Sequence, residues 1–395
     1  MKQAEPAATR FQRFWLPGLA FKAVVIGGGY ATGRELAEFF LPSGAWGGLA
    51  AIAVATLIFS LVCAVTFVFA RHVRAWDYVT FFKHLLGPGW VLFEGAYVLF
   101  IVLILAVYGA AAGAIGASLL GLPTIIGTAA LAASIVAVVT FGNASVERMF
   151  AYVSYLLYAV YALFILLAFT HFGDRIGAGF ARGGPMTGWL GGGTVYAGYN
   201  LIGAVVVLPV IRHLTSDRDA IVAGLIAGPL ATLPALLFFI AMIGFNPEIA
   251  GATLPSDFLL QKLDIPSFHL LFQLMIFAAL TESGASSVHA INERIARALL
   301  NRRGINLSNR ARLAIALALL IGCMFVADRF GLVALIATGY RALAYVLIAV
   351  YVIQYLRSAC GGWPVRTRSN PHETPLRRRA AVHRPARSRR PAHRV

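Results

Sequence analysis

The sequence predicts an all-α integral membrane protein: ten transmembrane helices arranged as a 5+5 inverted repeat, with helices 1 and 6 broken. Three observations carry this. The 395 residues are 59% hydrophobic and only 12% charged, whereas a soluble domain is about a quarter charged and under half apolar. Ten apolar runs are long enough to cross a hydrocarbon core of ~30 Å, which takes about 20 helical residues. Glycine clusters interrupt two of those runs at corresponding places in the two halves of the chain.

The runs lie at 16–40, 45–70, 89–118, 121–141, 148–171, 187–211, 219–245, 267–291, 311–327 and 331–356. They are apolar all round and about twice as long as the alternating ten-residue segments of a membrane β-barrel, so helices are the spanning structure. Met1–Pro17 has no apolar stretch followed by a small-residue cleavage site, and the first run is expected to stay as a span. The organisation expected is a cytoplasmic segment 1–15, a ten-helix domain 16–356 with repeats 16–171 and 187–356, and a tail 357–395. That tail is rich in Arg, Pro and Ser and is expected to be disordered. The long connection from Asn246 to Pro266, with Pro247 and Pro255 inside it, is expected to carry a short helix over the mouth.

Charge placement sets orientation. The chain has 33 Lys and Arg against 16 Asp and Glu, a net charge of +17, which in a soluble protein would suggest nucleic acid. With both termini cytoplasmic, 26 of the 33 basic residues fall on the cytoplasmic side, eleven of them Arg in the tail. Outer loops hold Arg175, Arg182, Lys262 and Arg329, while Lys22, Arg34 and Arg341 lie within spans. This follows the positive-inside rule for an even number of spans, in a bacterial cytoplasmic membrane. The basic tail is explained by anionic lipid at the inner leaflet, with no nucleic-acid partner. Cys63, Cys323 and Cys360 have no metal or disulfide spacing. No HExxH or GxSxG motif suggests an enzyme, and no organic cofactor is expected.

The interrupted runs read Gly27-Gly28-Gly29-Tyr30-Ala31-Thr32-Gly33 and Gly191-Gly192-Gly193-Thr194-Val195-Tyr196-Ala197-Gly198-Tyr199-Asn200. One opens spans one to five and the other opens spans six to ten; an odd number of helices per half inverts the second half. Glycine-interrupted segments at matching positions of two halves point to a secondary-transporter binding site. Unwound backbone in a membrane frees N–H and C=O groups that lipid cannot satisfy, so protein, water or ligand must. A half-helix beginning near Tyr30 offers amide donors and a positive dipole end to an anionic group, and freed carbonyls can hold a cation. Glycines also permit close helix packing, the alternative role, as for Gly109, Gly113 and Gly116 in the third span. The spacing is not GxGxxG, so no dinucleotide loop is implied.

At Ile26-Gly27-Gly28-Gly29-Tyr30-Ala31-Thr32-Gly33-Arg34-Glu35 the chain resembles the amino acid/polyamine/organocation superfamily with the leucine-transporter fold, and within it the YkvI-type group of bacterial membrane proteins. The resemblance extends over the ten spans and rests on this motif. It implies that Gly27, Gly28 and Gly29 form the first-span break that binds a substrate carboxylate. It also implies that Ser286 and Ser287 of the eighth span, with Gly27, are candidates for Na+. The Arg34-Glu35 pair departs from the common amino-acid-transporter pattern.

Charges inside an apolar span are functional candidates, since one at a helix centre costs ~2.5–3.5 kcal/mol on insertion scales. Glu35 follows the break and Glu282 lies midway along the eighth span; both are candidates for proton or cation coupling, or for structural pairs with Arg34 or Arg341. Glu38 and Glu94 are expected to be solvated near span ends, and Lys22 to snorkel inward. Glu282, Ser286, His289 and Glu293 form one helical stripe expected to face a cavity. Gly198, Tyr199 and Asn200 complete the substrate site with Gly27–Tyr30. Trp46, Trp90 and Trp189 read as interfacial anchors.

The function expected is secondary active transport of a small organic solute, such as an amino acid or related amine, coupled to H+ or Na+. The alternative is a transport-inactive sensor using the same site. Gly28→Leu is expected to abolish ligand binding with little loss of expression; misfolding would assign the glycines to packing.

Overall fold

The computed structural model describes residues 9–26, 30–141 and 144–352, and every regular element among them is helical. A π-turn, Phe11–Trp15, leads into α1 (Leu16–Val25), with Pro17 in the first turn, where its missing N–H needs no partner. α1 stops at Ile26, whose φ −90° and ψ 70° leave the helix. The chain resumes with a 3-10 turn, Tyr30–Thr32, and α2 (Arg34–Phe39). Between them Gly33 sits at φ +76°, and a Cβ there would lie 2.3 Å from the Phe238 ring, so neither the backbone nor the space admits a side chain. The first span is therefore two half-helices, as expected. Gly27, Gly28 and Gly29 lie outside the described residues.

α3 (Gly44–Val73) follows directly, then α4 (Tyr78–Leu86), capped by the Asp77 carboxylate, which accepts from the Thr80 amide at 2.9 Å. α5 (Trp90–Leu120), α6 (Thr124–Phe141) and α7 (Ala144–Arg182) complete the first half. α8 (Trp189–Asn200) and α9 (Ile202–Val206) are followed by a 3-10 turn, Val210–His213. α10 (Asp217–Ile243) starts at Ser216, whose hydroxyl caps the Asp219 amide at 3.1 Å. Then come α11 (Pro255–Leu263), α12 (Pro266–Arg303), α13 (Asn309–Ala334), a π-helical stretch Leu335–Tyr340, and α14 (Arg341–Leu347). Among the described residues six helical runs are long and apolar enough to cross a membrane: Arg34–Val73, Tyr78–Leu120, Tyr155–Arg182, Asp217–Ile243, Pro266–Leu300 and Asn309–Tyr351. The shorter α1, α6 and α8–α9 stand at other expected span positions.

Three expectations are corrected. Gly191, Gly192 and Gly193 do not break the sixth span; they lie inside α8, and the helical hydrogen-bond ladder is interrupted later, at Leu201, whose φ −55° and ψ −26° stay helical, and again at Val207–Pro209. The glycines serve contact instead: a Cβ on Gly192 would meet the Phe39 carbonyl at 2.1 Å, and one on Gly193 the Ala51 carbonyl at 2.3 Å. The fifth and eighth spans run on to Arg182 and Arg303, well past 171 and 291, because hydropathy marks the apolar slab and not the end of the helix. The ninth and tenth spans have no separating loop; the chain turns at the single residue Gly331, φ 71° and ψ 168°. The helix expected in the 246–266 connection is present as α11, which packs on the Tyr30–Thr32 turn and on α2.

The most extensive helix pair is α3 with α10. Small residues let the two backbones approach: Gly224 faces Ala64, and Gly228 faces Thr56 and Ser60. Hydroxyls bridge the same seam, with Thr56 Oγ1 2.7 Å from Thr232 Oγ1 and Ser60 donating to the Leu225 carbonyl at 3.0 Å. α1 packs on α10 and α8 packs on α3. Both interrupted helices are thus held against one rigid pair. Gly192→Ala is expected to destabilise the protein by ~1–3 kcal/mol through overpacking, while Gly191→Ala, with nothing within 4 Å, leaves thermal stability unchanged or slightly raised. Equal melting temperatures for the two variants would contradict this packing account.

Candidate functional site

The two interrupted helices meet at a central cavity lined by Val24, Val25, Tyr30, Glu35, Phe100, Ile104, Tyr108, Tyr199, Asn200, Ile202 and Tyr340. Its free space is about 20 Å³, room for about one water. Glu35 is 5% exposed and accepts a short hydrogen bond from the Tyr199 hydroxyl, which ties the start of α2 to the end of α8. The Tyr199 ring lies 4.5 Å from that of Tyr340, tilted by 36°, and 5.8 Å from that of Tyr196, nearly perpendicular. Asn200 donates its amide to the Tyr196 carbonyl at 3.0 Å. Tyr30 is buried, and its hydroxyl makes no hydrogen bond among the described residues.

Arg34 and Glu35 are neighbours on a short helix and face different surroundings. Arg34 Nη1 donates to the carbonyls of Ala250 and Ala252 at 2.8 and 3.0 Å, and Nη2 pairs with Glu38 at 3.0 Å. Arg341 reaches the other Glu38 oxygen at 3.5 Å. The pairing considered for Glu35 with either arginine is absent, and Glu38, expected to be simply solvated, is instead the carboxylate that both arginines share. The cluster ties α2, α14 and the approach to α11 at one end of the bundle. Beside it Asp257 of α11 accepts from Ser118, Gln261 and Gln273 at 2.6, 2.8 and 2.6 Å and meets His269 at 2.6 Å. Glu94, expected to be solvated as well, is paired with Arg294 at 3.0 Å, and that guanidinium lies over the rings of Tyr97 and Tyr78.

The remaining predicted residues are dispersed. Gly198 packs against Ala344 and Ile348 of the tenth span and does not line the cavity. Glu282 is half-buried, within electrostatic reach of Tyr158, whose ring carries Lys22 Nζ 4.0 Å from its centroid. Lys22 therefore rests on an aromatic face instead of snorkelling freely. Ser286 and His289 are exposed, so the eighth-span stripe does not line the central cavity. Ser287 donates to the Ser283 carbonyl at 2.9 Å, and Glu293 pairs with Arg312 at 2.6 Å. Of the residues expected to hold Na+, Ser286 is exposed, Ser287 is half-buried, and Gly27 lies outside the described residues.

Phe100, Tyr108 and Tyr340 were missed from sequence. Their one signal is position: Tyr108 and Tyr340 fall inside apolar spans, whereas membrane tyrosines concentrate at the interfaces.

No protein-family model matches the chain. It is 24% identical over 307 residues to the uncharacterized membrane protein YkvI of Bacillus subtilis (strain 168), which covers 75% of this chain and 83% of that protein. Among solved structures it is similar to MhsT in complex with L-phenylalanine, with a TM-score of 0.59, 16% identity, and 90% and 89% of the two chains covered. The inward-facing conformation of Mhp1 gives 0.55, 16%, 89% and 80%. A mutant manganese transporter of Eremococcus coleocola gives 0.55, 15%, 90% and 81%. The fold is the leucine-transporter fold, shared with these solved structures.

Removing the shared carboxylate tests the Arg34–Glu38–Arg341 cluster. Glu38→Ala leaves Arg34, whose side chain is 6% exposed, with carbonyl acceptors only. Amide hydrogen exchange across 34–39 and 246–252 is expected to rise on the order of tenfold, equivalent to about 1.4 kcal/mol, with α8 unchanged. Unaltered exchange in α2 would show that the cluster does not hold it.

Proposed function

We propose that the protein is a secondary active transporter of a small organic solute, an amino acid or related amine, working by alternating access and driven by a proton or sodium gradient. The carrying observation is the central cavity, where the first-helix break and the end of α8 converge on the buried Glu35 and Tyr199. The leucine-transporter fold supports this reading because the cavity sits between halves whose relative motion can expose it alternately. In this reading the chain divides at 16–171 and 187–356 into repeats, with segments 1–15 and 357–395 cytoplasmic in a bacterial cell membrane. The tail meets anionic lipid.

Substrate contacts fall to Tyr30, Tyr199 and Asn200, together with Gly27–Gly29. Glu282, the half-buried carboxylate facing Tyr158, is the candidate for coupling to protons, and Ser286 and Ser287 for sodium. Uptake into proteoliposomes under an imposed pH or sodium gradient tests the scheme, and uptake that ignores both gradients would count against it. Glu282→Gln is expected to flatten the pH dependence of uptake; an unchanged profile removes Glu282 from that role. Ligand binding without any flux would favour a receptor.

A further inference from the structure

A second cavity lies away from the central one and shares none of its lining. It is open, about 580 Å³ in volume, and sits where the π-turn Phe11–Trp15 packs on the first turns of α10. Sites for small organic ligands typically measure ~300–1,000 Å³. Its lining is of two kinds. Arg13, Arg218 and Asp219 supply charge, while Val222 and Ile226 of α10 and Phe14 and Trp15 of the π-turn supply apolar surface.

The charge left over at the polar end is positive. Asp219, 2% exposed, is fully engaged: Arg13 donates to it through Nε and Nη2 at 2.8 and 2.7 Å, and the Thr215 amide and hydroxyl do so at 3.0 and 2.7 Å. Asp217, on the other side of Arg218 in sequence, pairs with Arg71 and His72 at 3.1 and 3.2 Å and does not line the cavity. Both acids beside Arg218 are thus committed elsewhere, and Arg218 has no ion pair among the described residues. Arg13 keeps its Nη1 beyond the two bonds to Asp219.

Depth in the membrane selects the ligand further. α10 has 27 residues, about 40 Å at 1.5 Å per residue, against a hydrocarbon core of ~30 Å. Its first turn therefore stands at the level of the lipid headgroups. Phe11 and Trp15 are 55% and 48% exposed beside it, as suits aromatic side chains at a bilayer surface. Arg218, Val222 and Ile226 follow i, i+4, i+8, one stripe that runs about 12 Å from the headgroup level into the apolar slab. A fitting ligand carries negative charge at the surface and hydrocarbon beneath it. A soluble anion would leave the apolar half unused, and a neutral lipid would leave Arg218 unmatched.

We propose that this cavity binds an anionic phospholipid, with its phosphate on Arg218 and the free edge of Arg13 and an acyl chain along Val222 and Ile226. The site is independent of the transporter reading and of the basic tail. Bound there, the lipid bridges the approach to α1 and the frame helix α10.

The purified full-length protein in detergent is to be titrated with phosphatidylglycerol or phosphatidylcholine whose brominated acyl chains quench tryptophan on contact. The Trp15 signal is the part lost in Trp15→Phe. Its quenching is expected to saturate at about tenfold less phosphatidylglycerol than phosphatidylcholine. Arg218→Ala, or Arg218→Gln should the first not fold, is expected to abolish this preference, and Arg218→Lys to keep most of it. Arg377→Ala, Arg378→Ala and Arg379→Ala made together in the tail are expected to leave it intact. Equal quenching by the two lipids, a preference that survives loss of the Arg218 charge, or one lost in the tail variant alone overturns the proposal. So does displacement of the lipid by inorganic phosphate, which would make the cavity a site for a soluble anion.

Discussion

The hydrogen bond from Tyr199 to Glu35 joins the two interrupted helices at the middle of the bundle. A carboxylate in that position is tolerated only where protein supplies what water would have given, and much of the surrounding architecture meets that requirement. α3 and α10 pack through glycine and hydroxyl contacts so closely that they form a fixed frame. α1 rests on one and α8 on the other. The frame brings the first-helix break to the end of α8, and α5 and the π-helical stretch close the remaining sides with Tyr108 and Tyr340.

Adjacent residues of α2 do opposite work. A helix turns its side chains by about 100° per residue, so Arg34 and Glu35 cannot point the same way. Arg34 faces the connection before α11 and is satisfied by two carbonyls and Glu38; Glu35 faces the cavity. One consequence is that the two charges do not neutralise each other. Arg34, Glu38 and Arg341 stand at one end of the bundle together with α11, itself tied to α5 and α12 by Ser118, His269 and Gln273, which meet Asp257. The cavity keeps a carboxyl group that has no ion-pair partner among the described residues.

Much of the fold was legible because a membrane imposes few solutions on an apolar chain. Long apolar runs had to be helices, the prolines of the 246–266 connection bracketed a short helix, and the break between α1 and α2 followed from its glycines. The same reasoning failed at Gly191–Gly193, because glycine serves both unwinding and close packing and only the neighbour decides which. Phe39 and Ala51 press carbonyls against α8 there, and neither contact is visible along the chain. Glu38 and Glu94 were misread for a related reason: position within a span says how deep a charge lies, not which helix brings an arginine to it. Tyr108 and Tyr340 join the site through tertiary packing, and beyond their place inside apolar spans nothing in their local pattern says which cavity they line.

The bond between Glu35 and Tyr199 also limits how the halves can move. Glu35 belongs to α2 and Tyr199 to α8, so a motion that separates α2 from α8 leaves both groups without their partner in a space of low dielectric. Such a separation is unfavourable unless something replaces the contact. Water or another polar group would supply that replacement by donating to the carboxyl group and accepting from the hydroxyl. The cost of moving α2 against α8 is thus concentrated at one pair of side chains. An apolar residue at either position would remove that constraint, which is a physical reason for placing a carboxyl group where an apolar span should exclude one.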